Sequence, residues 1–138
     1  MPMHRHPTFV SCVLALDAES HADGTITLHR CFEYLSVPGF PSIHRGFVAL
    51  IEVTGGRGRS KIDFRLIDAA EERAPVTHWS IDVNFLDPTG RGIGVFTMKD
   101  LRFDHPGGYR LQAWHGEDLV LNKRLDVIVA PSAGPGTR

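Results

Sequence analysis

GGYRLQAWHGEDLVLNKRLDVIV, residues 107–129, is the stretch whose reading decides the fold. Side chains of a strand alternate between its two faces. Over 109–115, Tyr109, Leu111 and Ala113 share one face, and Arg110, Gln112 and Trp114 the other. Beyond Gly116-Glu117-Asp118, one face carries Leu119, Leu121, Leu125, Val127 and Val129. The other carries Val120, Asn122, Arg124, Asp126 and Ile128. A two-residue loop at Gly116-Glu117 would set Trp114 against Leu119 and Leu111 against Asn122, mixing the faces. A three-residue loop sets Ala113 against Leu121 and Tyr109 against Leu125. A slip of one residue exchanges the faces of a whole strand, so the apolar pattern selects the three-residue register. Lys123 interrupts the apolar row and is expected near a sheet rim, its stem packed and its amine in water. A hairpin with one apolar and one polar face belongs to a sheet covered on one side. Alone it is marginal in water, so the rest of the chain must supply a second layer.

Working outward, the 138 residues suffice for one domain with a sizeable core. Fifteen basic against sixteen acidic side chains leave a net charge of −1. With no basic excess to neutralise phosphates, nucleic acid is not an expected partner. No apolar run approaches the ~20 residues of a membrane helix, and no membrane partner is expected. Residues 8–16 are short for a signal-peptide core, and Leu16-Asp17 suits cleavage poorly. The segment is read as the first strand and the protein as cytoplasmic. Cys12 and Cys31 are too few for a disulfide framework. Both fall in predicted strands and read as buried reduced thiols, with a disulfide between neighbouring strands as the alternative.

In chain order, residues 1–7 form a flexible lead-in, 8–130 a single domain, and 131–138 a flexible tail low in bulky residues. In the first strand Val10, Cys12, Leu14 and Leu16 alternate against Ser11, Val13 and Ala15. Both of its faces are fairly apolar, so it is expected to be central or covered twice. Asp23-Gly24 signals a turn. Over 25–32, Ile26, Leu28, Arg30 and Phe32 share a side, and 33–37 extends this strand or forms a short one of its own. Pro38-Gly39-Phe40-Pro41 breaks the pattern and is expected to cross between sheets. The strand over 45–54 carries Phe47, Ala49, Ile51 and Val53 on one face. Residues 55–59 read as a flexible hairpin loop, and no phosphate-binding glycine pattern is present there. The return strand over 60–68 sets Ile62, Phe64 and Leu66 against Lys61, Asp63 and Arg65. Residues 69–75 read as a loop. Trp79, Ile81, Val83 and Phe85 are inward candidates over 76–86, with Trp79 in the core. Asp87-Pro88-Thr89-Gly90 has turn chemistry. A strand over 92–98 is followed by residues 99–104, which carry Leu101 and Phe103 and lead into the closing hairpin.

Eight or nine strands with turn signals at roughly 8–12-residue spacing predict an all-β, two-sheet antiparallel sandwich, immunoglobulin-like; a closed β-barrel is the alternative. Three stretches, LALDAESHADGTITLHRCFEYL, VPGFP with GFVALIEV, and the closing hairpin, resemble those of a family of uncharacterised bacterial proteins known as a domain of unknown function. The resemblance implies a β-sandwich and supplies no activity or catalytic residues.

The residues themselves offer no catalytic motif. There is no GxSxG, and neither cysteine sits in a nucleophile signature. The histidines show no HExxH spacing, and His4 and His6 fall in the lead-in. No catalytic residue, metal or cofactor is expected. The polar face of the hairpin is the candidate contact surface: Trp114 with Arg110, Gln112, Val120, Asn122 and Arg124. Exposed Trp and Arg are enriched at binding hot spots. The expectation is a non-catalytic interaction module that binds a protein partner or itself as a homodimer through an exposed sheet face. The rival is a small-molecule or carbohydrate binder, or an enzyme, with Arg57, Arg59, His105 and His115 converging on a loop-end pocket.

Overall fold

A computed structural model describes residues 7–56, 58–70, 74–85 and 92–130. Nine strands follow in order: β1 Thr8–Ser20, β2 Ile26–Cys31, β3 Tyr34–Val37, β4 Ser42–Thr54, β5 Gly58–Asp68, β6 Thr77–Phe85, β7 Gly92–Phe103, β8 Gly107–His115 and β9 Asp118–Val129. They form two sheets, a four-stranded one in the order β2-β1-β4-β7 and a five-stranded one in the order β3-β9-β8-β5-β6. Among the described residues no ladder joins the sheets, so this is a sandwich and not a closed barrel. One ladder departs from the antiparallel expectation: β3 runs parallel to β9. The reason is connectivity. The chain leaves β2 and enters the opposite sheet at β3 without a hairpin, and a parallel pair requires such a crossover. The Pro38–Pro41 break then returns the chain to the first sheet at β4, the crossing its sequence predicts.

The closing hairpin holds the predicted pairs Tyr109 with Leu125 and Ala113 with Leu121. Its tip is tighter than predicted. Trp114 pairs with Leu119 and His115 with Asp118, so the register shifts between Ala113 and Trp114. The loop is the two residues Gly116-Glu117, with Gly116 at a φ of 64°, as a two-residue hairpin turn requires. A bulge around Val120 absorbs the extra residue. Both candidate registers therefore occur in one hairpin, the turn setting the tip and the apolar pattern setting the body.

The glycine-rich turn after β4 differs from its reading. It makes no hairpin, because β4 and β5 lie in different sheets. Glycines permit a tight return in either case, and only the partner strands distinguish a hairpin from a sheet change. The strand read over 92–98 runs on through Phe103. Arg30, at a φ of 58°, breaks the alternation expected along β2. The turn read at 87–90 and both termini read as flexible lie outside the described residues.

The core sits between the sheets. Leu14, Phe47, Ala49, Ile51, Met98, Leu101 and Phe103 come from one; Leu35, Val37, Ile62, Phe64, Leu66, Tyr109, Leu111, Leu125 and Val127 from the other. Phe103 meets Tyr109 edge-on at 5.0 Å between centroids. The Tyr109 hydroxyl donates to the His105 carbonyl oxygen at 2.6 Å, which satisfies the polar end of a buried ring. Burial of each large side chain is worth about 1.5–3 kcal/mol. The ring geometry adds only about 0.5–1.5 kcal/mol, so area dominates. Trp79 points inward as predicted but is only half-buried, stacked on Phe64 at 4.9 Å. Its strand is a sheet edge, and no further strand flanks it.

Two local features constrain the fold. Gly46 has a φ of 132°, and a β-carbon there would sit 2.1 Å from the Met98 carbonyl oxygen across the β4–β7 ladder. The Gly46 N–H donates to Nδ1 of His44 at 2.9 Å, which fixes a neutral ring. Burial, then the Arg45 charge, lowers the His44 pKa below its usual value of 6.5. The second feature is the thiols. Cys12 is half-buried and free, and Cys31 is free but exposed, so the expectation of two buried thiols fails at Cys31. Burial raises the Cys12 pKa to about 11, against an opposing pull from the Lys123 ammonium.

Three outcomes are expected. Gly46→Ala should destabilise by about 2–3 kcal/mol, since backbone strain alone costs about 1–3; a melting temperature lowered by less than about 3 °C would contradict this. A depressed histidine pKa supplies stability that is complete above 6.5 and is lost as pH falls through the folded value. His44→Asn, which keeps an acceptor, should therefore lose less stability than the wild type on acidification. A disulfide reagent at pH 8 should label Cys31 rapidly and Cys12 only on unfolding, because a pKa near 11 lowers the thiolate fraction about a hundredfold. Two equally fast thiols would overturn that assignment.

Candidate functional site

Strand alternation gives each sheet an inner and an outer face, and the two outer faces differ. On the five-stranded sheet, cross-strand rows can be read from the register. One row is Ser80, Asp63, Trp114 and Leu119; the next is His78, Arg65, Gln112 and Asn122; the next is Ile67, Arg110 and Arg124. The structure thus brings Trp114, Arg110, Gln112, Asn122 and Arg124 onto one surface. Val120 is displaced by the bulge and packs against the core, and Leu119, 43% exposed, sits opposite Trp114 in its stead.

This surface is knitted by its own contacts. The Arg65 guanidinium lies 5.7 Å from the Trp114 ring centroid. The Trp114 Nε1–H donates to Gln112 Oε1 at 3.2 Å, and Gln112 is only 5% exposed. The Ser80 hydroxyl donates to Asp63, and Arg124 pairs with Asp126 at 3.2 Å. One juxtaposition is unfavourable: Arg110 lies directly opposite Arg124, and like charges so placed destabilise a sheet.

The outer face of the four-stranded sheet is apolar. Its rows are Ser11, Glu52 and Ile93; then Val13, Leu50 and Val95; then Cys31, Ala15, Val48 and Thr97. Ile93 is 64% exposed and Val10, at the bulge in β1, 56%. No described element lies over these rows. The sequence signalled this face: VSCVLAL and FVALI are apolar at both parities. The β1 reading registered that signal as central or doubly covered. β1 is indeed central, between β2 and β4, but no described element forms a second layer over its outer face. In β4, Val48 and Leu50 carry the same signal and were not singled out.

Two of the concave regions lie at the ends of the sandwich. A depression of about 780 Å³ lies beside Pro41, Asp68, Val76, Arg102, Asp104, His105 and Tyr109. Arg102 is paired there with Asp104 at 2.7 Å. Of the three described loop-end groups, His105 alone reaches it. His115 and Arg59 lie at the other end of the sandwich; the nine residues of β8 that separate the two ends span about 26 Å at the rise of a strand. Arg57 lies outside the described residues. A smaller slot of about 110 Å³ opens between β6 and β7, and every side chain lining it is apolar. An unfilled void of that size forgoes on the order of 2–3 kcal/mol.

Glu19 lies between His21 and His29, at 3.7 and 3.6 Å. Among the described residues no group of three or more His, Cys, Asp or Glu side chains is arranged to hold a metal ion. Nor is any described helix long and apolar enough to cross a membrane.

No curated protein matches this chain. A family model does, over residues 10–128, a span running from β1 to the last strand of the closing hairpin. The match takes in both sheets and all three stretches on which the resemblance rests, and so the chain belongs to the family of unknown function DUF6941.

Proposed function

We propose that the chain is a non-catalytic interaction module that docks a protein through the outer face of its four-stranded sheet, and that the partner is a second copy of itself. The observation that carries this reading is the strip Val13–Leu50–Val95, in register across three strands with no described element over it. Val13 is 36% exposed and Leu50 and Val95 half-buried, and contiguous apolar surface open to water marks interaction sites.

Self-pairing is favoured by the order of charge around the strip. Two residues beyond Ala15 stands Asp17 on β1; two residues beyond Thr97 stands Lys99 on β7. A two-fold axis parallel to the strands lays β1 of one copy over β7 of the other. Val13 then packs on Val95, Leu50 on Leu50, and Asp17 lies over Lys99. The same patch serves both copies, as an isologous interface requires. One unfavourable pair remains, Glu52 over Glu52 at the end of the strip.

A second reading rests on the Trp114 face. Arg110 opposite Arg124 is a cost that a carboxylate from an acidic protein partner would relieve, with Trp114 as the anchor.

Light scattering across a concentration series tests the first reading. The wild type is expected to dimerise. Leu50→Lys should weaken the dimer at least tenfold, about 1.4 kcal/mol, Glu52→Gln should tighten it, and Trp114→Arg should leave it intact. A strict monomer would overturn the self-pairing. A dimer split by Trp114→Arg and not by Leu50→Lys would move the interface to the other sheet.

A further inference from the structure

We propose that the slot between β6 and β7 is a binding site for a small apolar ligand, of the size of an aromatic ring or a short alkyl chain. Its walls come from both sheets: Phe9, Ile51 and Phe96 on one side, Phe64, Val83 and Phe85 on the other. The slot exists because β7 supplies no side chains where they are needed. Gly92 and Gly94 pair with the inward residues Val53 and Ile51; the Phe96 ring lies over Gly94, where a β-carbon would meet it at 2.8 Å, and the position at Gly92 is left open. Sheets about 10 Å apart are normally filled from both sides.

The slot is reachable. β6 and β7 are the edge strands of their sheets, so its mouth lies between two edges and a ligand can enter without opening a ladder. The half-burial of Ile81 and Val83, inward residues on β6, reflects the same opening.

The lining fixes the ligand class. A buried water needs two to four polar partners, and no side chain here offers one. At about 110 Å³ the slot approaches the scale, about 150 Å³, at which an engineered apolar cavity lined by Leu, Ile and Phe stays dry and binds benzene. A charged or strongly hydrated ligand finds nothing to replace its water.

Methyl-labelled protein titrated with benzene tests the proposal. Saturable shifts are expected at the methyl groups of Ile51, Ile62, Ile81 and Val83, and none at Val127, which is buried under the β3–β9 end. A β-carbon on Gly92 would meet only Val53 and Phe85, at 3.4 and 3.8 Å, so a side chain fits there and points into the slot. Gly92→Leu should therefore fold and abolish the shifts. Val83→Phe fills the slot from the opposite sheet and should do the same if Gly92→Leu does not fold. No saturable shift in the wild type, or shifts that persist in the filled variant, would overturn the site and leave a simple packing defect.

Discussion

A two-layer protein has four sheet faces and can bury only two of them, because side chains alternate strictly along every strand. The rest of this structure depends on how the two remaining faces meet water. The five-stranded sheet meets it with charge: Lys61, Asp63, Arg65, Arg110, Arg124 and Asp126 alternate with Ile62, Phe64, Leu66, Leu111, Leu125 and Val127 beneath. The four-stranded sheet does not. Val13, Leu50 and Val95 cross its outer face as the core residues cross its inner one. Ala15 and Val48 are almost fully buried there, although no described element lies over them. A chain with as many charged side chains as this could have placed them on that face, as it did on the other. The asymmetry, more than any single residue, directs attention to the first sheet.

The sequence made the sandwich legible wherever alternation was clean. Residues 60–66 alternate cleanly, and their inward set Ile62, Phe64 and Leu66 is buried; Ile67, on the outward parity, is the exception and is buried as well. The body of the closing hairpin was legible for the same reason. Connectivity was less so. A run of glycines between two strands allows a tight return, and nothing local says whether the second strand rejoins the first sheet or enters the other. That is why the turn after β4 read as a hairpin. The hairpin tip misled in a subtler way. Two-residue turn chemistry and the apolar register disagreed by one residue, and a bulge reconciled them. The bulge is decisive for the candidate surface, since it moves Val120 inward and puts Leu119 beside Trp114. The exposure of Cys31 was hidden by a similar break, at Arg30, where one positive φ interrupts the alternation of β2.

The edges of the two sheets are managed unequally. β9 is flanked by β3 only from Asp126 to Val129, which leaves its first half at an edge. Lys123 stands in that half, in phase with the core residues Leu121 and Leu125. An inward-pointing lysine is a recognised guard against strand addition. It also accounts for its position near Cys12, whose thiol it tempers. At the opposite edge, β6 presents His78, Ser80, Asp82 and Asn84 outward, a polar row that leaves its inner face apolar.

β7 is the edge with the weakest guard. It is twelve residues long, pairs only with β4, and exposes Ile93 near its start. Long, apolar edges invite pairing with another chain. The two inward glycines change what such an edge can do. The Phe96 ring covers Gly94, but no side chain fills the position at Gly92, and the gap left there is continuous with the sheet edges. Filling the gap would have required one larger residue at position 92, where the surroundings accept it. The strand thus has an apolar outer face at Val95, an open edge, and an unfilled inner face at the same end. Packing explains none of the three, since each leaves apolar surface in water or a void in the core. The proposed partner over the outer face and the proposed apolar group within would each bury what the isolated chain leaves open.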